Sequence, residues 1–253
     1  MTKSICIFYA YIAIISCTLT ACKPKNNSND KSSVKVGMSL DFPPFEFIKN
    51  DKMVGFEVDL LDEISKITGL TFAIQDMEFG SILGAIASKK IDIGVSGFTI
   101  TAKRKKSIDF SRCHLNVANF AIIHQIKNSI KTKDQLSYKK VGVQLGTQAE
   151  DYVKKIPHAN LILLNKNHTI VQELILGRID AALMEEDQAL HFCNANKNKI
   201  TYDVISSDGG CYGIAFPKNS KLYQQINDAI DVLDKNGTIL KLEKKWFISK
   251  ANV

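Results

Sequence analysis

The sequence predicts an α/β chain built as two successive units, each a parallel-rich sheet covered by helices. Three observations carry that expectation. Short β-branched runs alternate with helical stretches in a βαβαβ order over residues 34–95, the order that favours parallel strands joined by crossovers. The same rhythm starts again at Lys140. The chain has 253 residues, 45% hydrophobic and 23% charged, enough apolar material for two domains of about 100 residues each.

Taken in order, Val34 to Met38 is a strand and Val58 to Thr68 a helix stopped by Gly69. Leu70 to Ile74 is the second strand, Ser81 to Ser88 a helix, and Ile91 to Val95 a third, largely buried strand. Asn119 to Gln125 is a mostly apolar extended run that can cross into the second unit. There Lys140 to Gln144 is a strand, Gly146-Thr147 opens a helix through Lys155, and Leu161 to Leu164 is the next strand. Thr169-Ile170-Val171-Gln172 has the spacing of a capping box for a helix ending at Gly177. Ala181 to Met184 is a strand and Gln188 to Asn194 a helix. Gly209-Gly210 reads as a turn, Cys211 to Phe216 as a return crossing, and Leu222 to Asp234 and Ile239 to Trp246 as closing amphipathic helices.

Ahead of this stands Met1-Thr2-Lys3, a short basic start, and an apolar run from Ile5 to Leu19. That run is short for a spanning helix, which needs about 20 residues, and suits the core of a signal peptide. It ends in Leu19-Thr20-Ala21-Cys22, which resembles a lipobox and implies a signal over residues 1–21, cleavage before Cys22 and lipid on its thiol. Residues 22–33 then contain no large apolar side chain able to pack and read as a flexible tether to a membrane.

The formal net charge of +7 becomes +6 without residues 1–21, whose one charged side chain is Lys3. The lysines are scattered and an exported chain meets no genome, so nucleic acid is not an expected partner. Past Cys22 the cysteines are Cys113, Cys193 and Cys211, an odd number in a compartment that permits one disulfide. Cys113 and Cys211, each beside a crossing run, are the expected pair. No zinc-ligand spacing or paired helical histidine appears, so no metal is expected.

The most informative stretch is Ser96 to Ser111, which leaves the third strand directly. Gly97 lets backbone approach a ligand closely, Thr99 and Thr101 supply hydroxyls, and Arg104 offers a planar fork of donors that matches a carboxylate. This run resembles the signature of the polar amino-acid family of solute-binding proteins that serve ABC importers, extracellular solute-binding family 3. Further matching stretches follow the family order: Asp41 to Phe47, Gly55 to Leu60, Val141 to Thr147, Gly177 to Ala182, Gly213 to Lys218, and Asn236-Gly237-Thr238 ahead of Lys244 to Phe247. The resemblance spans Val34 to Phe247.

It implies a two-lobed, periplasmic-binding-protein-like α/β fold with a hinged ligand cleft. One lobe would hold residues 34–121 and 213–253, the other 122–212. It implies an amino acid as ligand, a permease and its ATPase as partners, and no cofactor. In the site it places Arg104 against the α-carboxylate, helped by donors at Thr99 and around Gly146 to Gln148, Thr147 included. Glu185, five residues beyond Asp180, falls where the family has its ammonium-binding aspartate, one methylene longer here. The Thr99 hydroxyl and the Gly97 carbonyl would add ammonium contacts, with Ser96 also in the site, while Phe42 and Phe79 would flank the ligand side chain; Phe45, Phe47 and Phe56 read as core. Ser39 and Gln144 stand where relatives carry aspartate and lysine, which departs from the basic- and glutamine-binding patterns. Asp41, Glu78 and Glu185 would leave the cleft mouth acidic, favouring a polar or basic L-amino acid, arginine or lysine before glutamine. Arg112-Cys113-His114 replaces the family's usual Pro-Tyr stretch near the hinge. The rival readings are a dehydratase of the same fold, with Glu185 as acid or base, and a sensory ligand-binding module.

Overall fold

The structure, a computed structural model, describes residues 33–247. The expected signal, the Cys22 lipid site and all of the tether except Ser33 lie outside them. The chain opens with β1 (Val34–Met38) and a small antiparallel sheet of β2 (Asp41–Phe42), β3 (Glu46–Lys49) and β4 (Lys52–Val54). Next come α1 (Phe56–Thr68), β5 (Phe72–Asp76), α2 (Phe79–Ala87), β6 (Ile93–Gly94), α3 (Ala102–Lys105) and β7 (Ile108–Phe110). A second run follows: β8 (Leu115–Gln125), β9 (Lys140–Gln144), α4 (Gln148–Val153), β10 (Asn160–Leu164), α5 (Asn167–Ile175), β11 (Ala181–Glu185), α6 (Glu186–Ala195) and β12 (Ile200–Tyr212). The chain returns through β13 (Ala215–Pro217) to α7 (Leu222–Lys235) and α8 (Thr238–Trp246).

Two five-stranded sheets result, in the orders β5-β1-β6-β13-β7 and β10-β9-β11-β8-β12. In the first, β1 pairs in parallel with β5 and β6, while β13 runs antiparallel to β6 and β7. In the second, β9 is parallel to β10 and β11, and β8 is antiparallel to β11 and β12. Two short links, residues 111–114 and 213–214, join the sheets. Ser111 N–H donates to the Ile214 carbonyl at 2.8 Å and His114 N–H to the Tyr212 carbonyl at 3.0 Å, so the links lie side by side. Cys113 and Cys211 are disulfide-bonded across them, with Cα atoms 5.6 Å apart, as the sequence suggested; Cys193 is a free, buried thiol.

Each sheet buries its own core. On the first, Val36, Met38 and Ile93 pack under Leu60, Leu61 and Ile64, the 3–4-spaced apolar face of α1. Each such fully buried side chain is worth about 1.5–3 kcal/mol over exposure. Gly69, at φ 67°, ends α1 where the sequence places its stop. Phe45 and Phe56 are fully buried, but Phe47 is only half-buried, edge-on to His191 and Trp246.

Several boundaries depart from the sequence reading, each for a tertiary reason. The expected capping box at Thr169 does not start α5, which begins at Asn167; its first N–H is satisfied by the distant Asp41 carboxylate at 2.6 Å. Helix α2 starts at Phe79, two residues before the expected Ser81. Gly209-Gly210 is not a turn. It lies within β12, which absorbs it through a register shift between Ser206 and Gly210, with Gly209 at φ 67°. Cys211 to Phe216 is not one strand: β12 ends at Tyr212, and the return crossing is the short link Gly213-Ile214 before β13.

Candidate ligand-binding site

Between the two sheets lies a cavity lined from both sides, the kind of inter-lobe position where small-molecule sites form. All eleven residues singled out from the sequence line it: Ser39, Phe42, Phe79, Ser96, Gly97 and Thr99 with Arg104 on the first-sheet side, and Gln144, Thr147, Gln148 and Glu185 on the other. Sequence reasoning missed Ala149, Asn167, Leu183, Met184 and Gln188.

Arg104 is held rigidly. Thr101 caps α3 by accepting from the Arg104 N–H at 3.2 Å. Arg104 is 9% exposed, with the Phe79 and Phe98 rings each 5.8 Å from Cζ and 4.8 Å from each other, stacked. Its Nη1 donates to the Thr99 carbonyl and its Nη2 to the Gly146 carbonyl, both at 2.9 Å. A guanidinium has five donors, so the fork retains capacity for a carboxylate. Burial lowers the pKa of Arg104, an effect opposed by Tyr212, Glu185 and Asp151.

Gly97 has φ 56°, and a Cβ there would stand 2.4 Å from the Phe42 ring, so both backbone and packing require glycine. Phe42 stacks on Phe45 at 4.3 Å. From behind, Glu57 accepts the Gly97 N–H at 2.7 Å, and Ser96 Oγ donates to Glu46 Oε1 at 2.5 Å while accepting the Ser39 N–H at 3.1 Å.

Glu185 ends β11 and faces the same space. Burial raises its carboxyl pKa, opposed by its own backbone N–H, Tyr212 and Arg104. The Tyr212 hydroxyl, fully buried beside that carboxylate, makes no hydrogen bond of ordinary geometry, and burial followed by Glu185 pushes its pKa well up. Gln188, 1% exposed on the first turn of α6, likewise has a buried Nε2 without a partner. Neither carried a sequence signal, because both become visible only as unmet hydrogen-bonding groups.

Some expected donors are already engaged. Gly146 N–H bonds Glu150 at 2.6 Å, and the Thr147 hydroxyl donates to the Gln144 carbonyl at 2.7 Å while capping α4. Gln144 donates to the Asn165 carbonyl at 3.0 Å and accepts from Asn167 Nδ2 at 3.1 Å, which fixes its amide. Asp41 does not leave a free charge at the mouth. Its carboxylate, 9% exposed, accepts from Ser39 Oγ at 2.9 Å and, across the cavity, from the Asn167 N–H at 2.6 Å. Lys103–Asp151 at 3.4 Å and Lys166–Asp76 at 3.6 Å also join the two sides. At Gly146 (φ 84°) a Cβ would meet Gly80 Cα at 3.1 Å, a close backbone approach.

A buried guanidinium and a partly buried carboxylate converging on one cavity, between two α/β lobes joined by paired links, define a two-lobed small-molecule-binding protein. The chain belongs to the bacterial extracellular solute-binding proteins, family 3, whose pattern it matches over residues 34–249. It is 35% identical over 243 residues to the arginine-binding extracellular protein ArtP of Bacillus subtilis, covering 93% of this chain and 94% of that one. It is 32% identical over 231 residues to the L-cystine-binding protein TcyJ of Escherichia coli, covering 88% and 85%. Among solved structures, an ancestral arginine-binding protein bound to arginine is 38% identical with a TM-score of 0.81, covering 85% of this chain and 98% of its own. The arginine-, lysine-, histidine-binding protein ArtJ of Geobacillus stearothermophilus is 30% identical with a TM-score of 0.79, covering 85% and 95%.

Proposed function

We propose that this chain captures a polar or basic L-amino acid, arginine or lysine before glutamine, and delivers it to an ABC permease driven by a separate ATPase. The observation that carries this reading is the pairing of Arg104 and Glu185 in one cavity. Arg104 would hold the α-carboxylate by its free donors. Glu185, with the Thr99 and Ser96 oxygens, would hold the α-ammonium. The ligand side chain would lie between Phe42 and Phe79 toward Gln144, Asn167 and Gln188, where amides can meet a guanidinium, an ammonium or an amide. The relatives that bind arginine, and an ancestral arginine-binding protein bound to glutamine, support that solute class.

The lobes, expected from the sequence as residues 34–121 with 213–253 and 122–212, would close about the paired links at 111–114 and 213–214 as a hinge, which moves the first boundary back to the start of β8. The exported chain would be held at a membrane by lipid on Cys22. It performs no covalent chemistry in this reading: no nucleophile–base pair lines the cavity, and Arg104 with Glu185 accounts for capture alone.

Thermal unfolding of residues 23–253 against each common amino acid tests this. Ligand at a hundredfold excess over its dissociation constant should stabilise the chain by about 2.7 kcal/mol. A shift with arginine or lysine, lost in Arg104→Ala, is expected; a shift with leucine or glutamate in preference to arginine, lysine and glutamine contradicts the solute assignment, and no shift with any contradicts the function.

A further inference from the structure

Behind the ligand-facing loop lies a chain of buried acids that the capture of an amino acid does not itself require. Glu46 on β3 and Glu57 on α1 are both fully buried. Glu46 Oε1 accepts the Ser96 hydroxyl at 2.5 Å, while its Oε2, buried, has no partner that donates to it. Glu57 lies beside it: its N–H donates to the Phe45 carbonyl at 2.9 Å, next to Glu46 in the chain, and the two carboxyls hold the adjacent residues Ser96 and Gly97. Glu57 Oε2 accepts the Gly97 N–H at 2.7 Å and its Oε1 lies 2.8 Å from His114 Nε2, with His114 itself fully buried under Phe56. Two ionised carboxylates can only accept, so they can bond each other only if one carries a proton.

We propose that Glu46 and Glu57 share one proton behind the cavity, and that this pair positions Ser96 and Gly97 for the ligand. The proton sits on Glu46 Oε2 and is donated to Glu57. Glu57 then accepts three hydrogen bonds, from Glu46, Gly97 and the Nε2–H tautomer of His114. That satisfies the orphaned oxygen and leaves one negative charge in the cluster instead of two. Burial, then the Glu57 charge, pushes the Glu46 carboxyl well above the ordinary range, as this arrangement requires; Asp41 acts in the same direction. Tyr212, the other ionisable group turned toward the pair, is held neutral by its own burial.

The consequence for the site is directional. The Ser96 hydroxyl spends its hydrogen on Glu46 and one lone pair on the Ser39 N–H, so what remains for the cavity is a lone pair. Ser96 is thereby fixed as an acceptor, suited to an ammonium and not to a carboxylate. Glu57, holding the Gly97 amide, fixes the left-handed turn that carries Thr99 toward Arg104. Glu46 and Glu57 are thus positioning residues that never touch the ligand. This inference rests on reading the cavity as an amino-acid site.

Glu46→Gln and Glu46→Ala separate the roles. Glutamine reproduces both contacts, accepting from Ser96 and donating an N–H to Glu57, so it should keep the arginine dissociation constant within about twofold of wild type; alanine should weaken it about tenfold or more. Difference infrared spectroscopy at pH 7 with carboxyl-labelled glutamate should show the carbonyl band of a buried neutral acid, absent in Glu46→Gln. A missing band in the wild type overturns the shared proton. An alanine variant that binds like wild type, or a glutamine variant as weak as alanine, overturns the positioning role. If alanine does not fold, the glutamine affinity and the infrared band decide. If the wild type binds no amino acid, the function fails while the band still tests the pair.

Discussion

Asp41→Ala should hold the cleft open without touching the ligand. In the structure Asp41 accepts two hydrogen bonds of different kinds. The bond from Ser39 Oγ stays within the first lobe and survives opening. The bond from the Asn167 N–H, at 2.6 Å with a side chain 9% exposed, spans the cleft and exists only when the lobes are together. Hydrogen bonds to a buried charge contribute about 1.5–3 kcal/mol, so its loss lets the closed complex open about 10- to 150-fold faster. Association begins from the open form and should change little, which places the effect in the dissociation rate. Asp41→Asn retains a neutral acceptor for the same N–H and should fall between. Stopped-flow displacement of bound arginine reads the rate directly, and small-angle scattering reads the opening. A dissociation rate in Asp41→Ala within twofold of wild type refutes the idea that this contact latches the lobes.

Three further outcomes follow from the same geometry. Arg104→Lys should lose most arginine binding, because a point charge reaches neither the Thr99 nor the Gly146 carbonyl as a planar fork does; near-native calorimetric affinity would contradict this. Burial raises the Glu185 pKa, and a ligand ammonium favours its ionised form. Binding should therefore release protons and weaken as pH falls through that raised value. For the unliganded chain the sign reverses: the stability linked to Glu185 is complete below the unfolded carboxyl pKa, about 4.3, and is lost as pH rises through the folded one. Calorimetry in two buffers of different ionisation heat tests the release, which should vanish in Glu185→Gln. Cys113→Ser should lower unfolding free energy by up to about 4.7 kcal/mol, since the disulfide closes a loop of 98 residues; a urea midpoint unchanged from wild type contradicts that contribution.

The local signals were strong where local chemistry decides structure. The strand at Val34 and the helix α1 with its Gly69 stop depend on neighbours a few residues away. Eleven residues picked from the sequence meet at one cavity, because motif order carries the pairing of elements that lie far apart. What stayed hidden depends on distant partners. Asn167 opens α5 because Asp41, 126 residues earlier, accepts its N–H, so Thr169 misleads. Nothing local announces that Glu46 and Glu57 are both turned inward onto a loop 40–50 residues ahead. Gln188 and Tyr212 reveal themselves only through polar atoms that find no partner in the fold.

The central claim is that Arg104 takes the carboxylate and Glu185 the ammonium of one amino acid. Calorimetric titration of the wild type and Arg104→Ala with L-arginine, and with arginine lacking its α-carboxylate, tests it most directly. The account predicts that wild type binds L-arginine and loses at least about tenfold in affinity for the decarboxylated form, while Arg104→Ala binds the two equally weakly. Equal affinity of the wild type for both ligands, or discrimination that survives in Arg104→Ala, would contradict it.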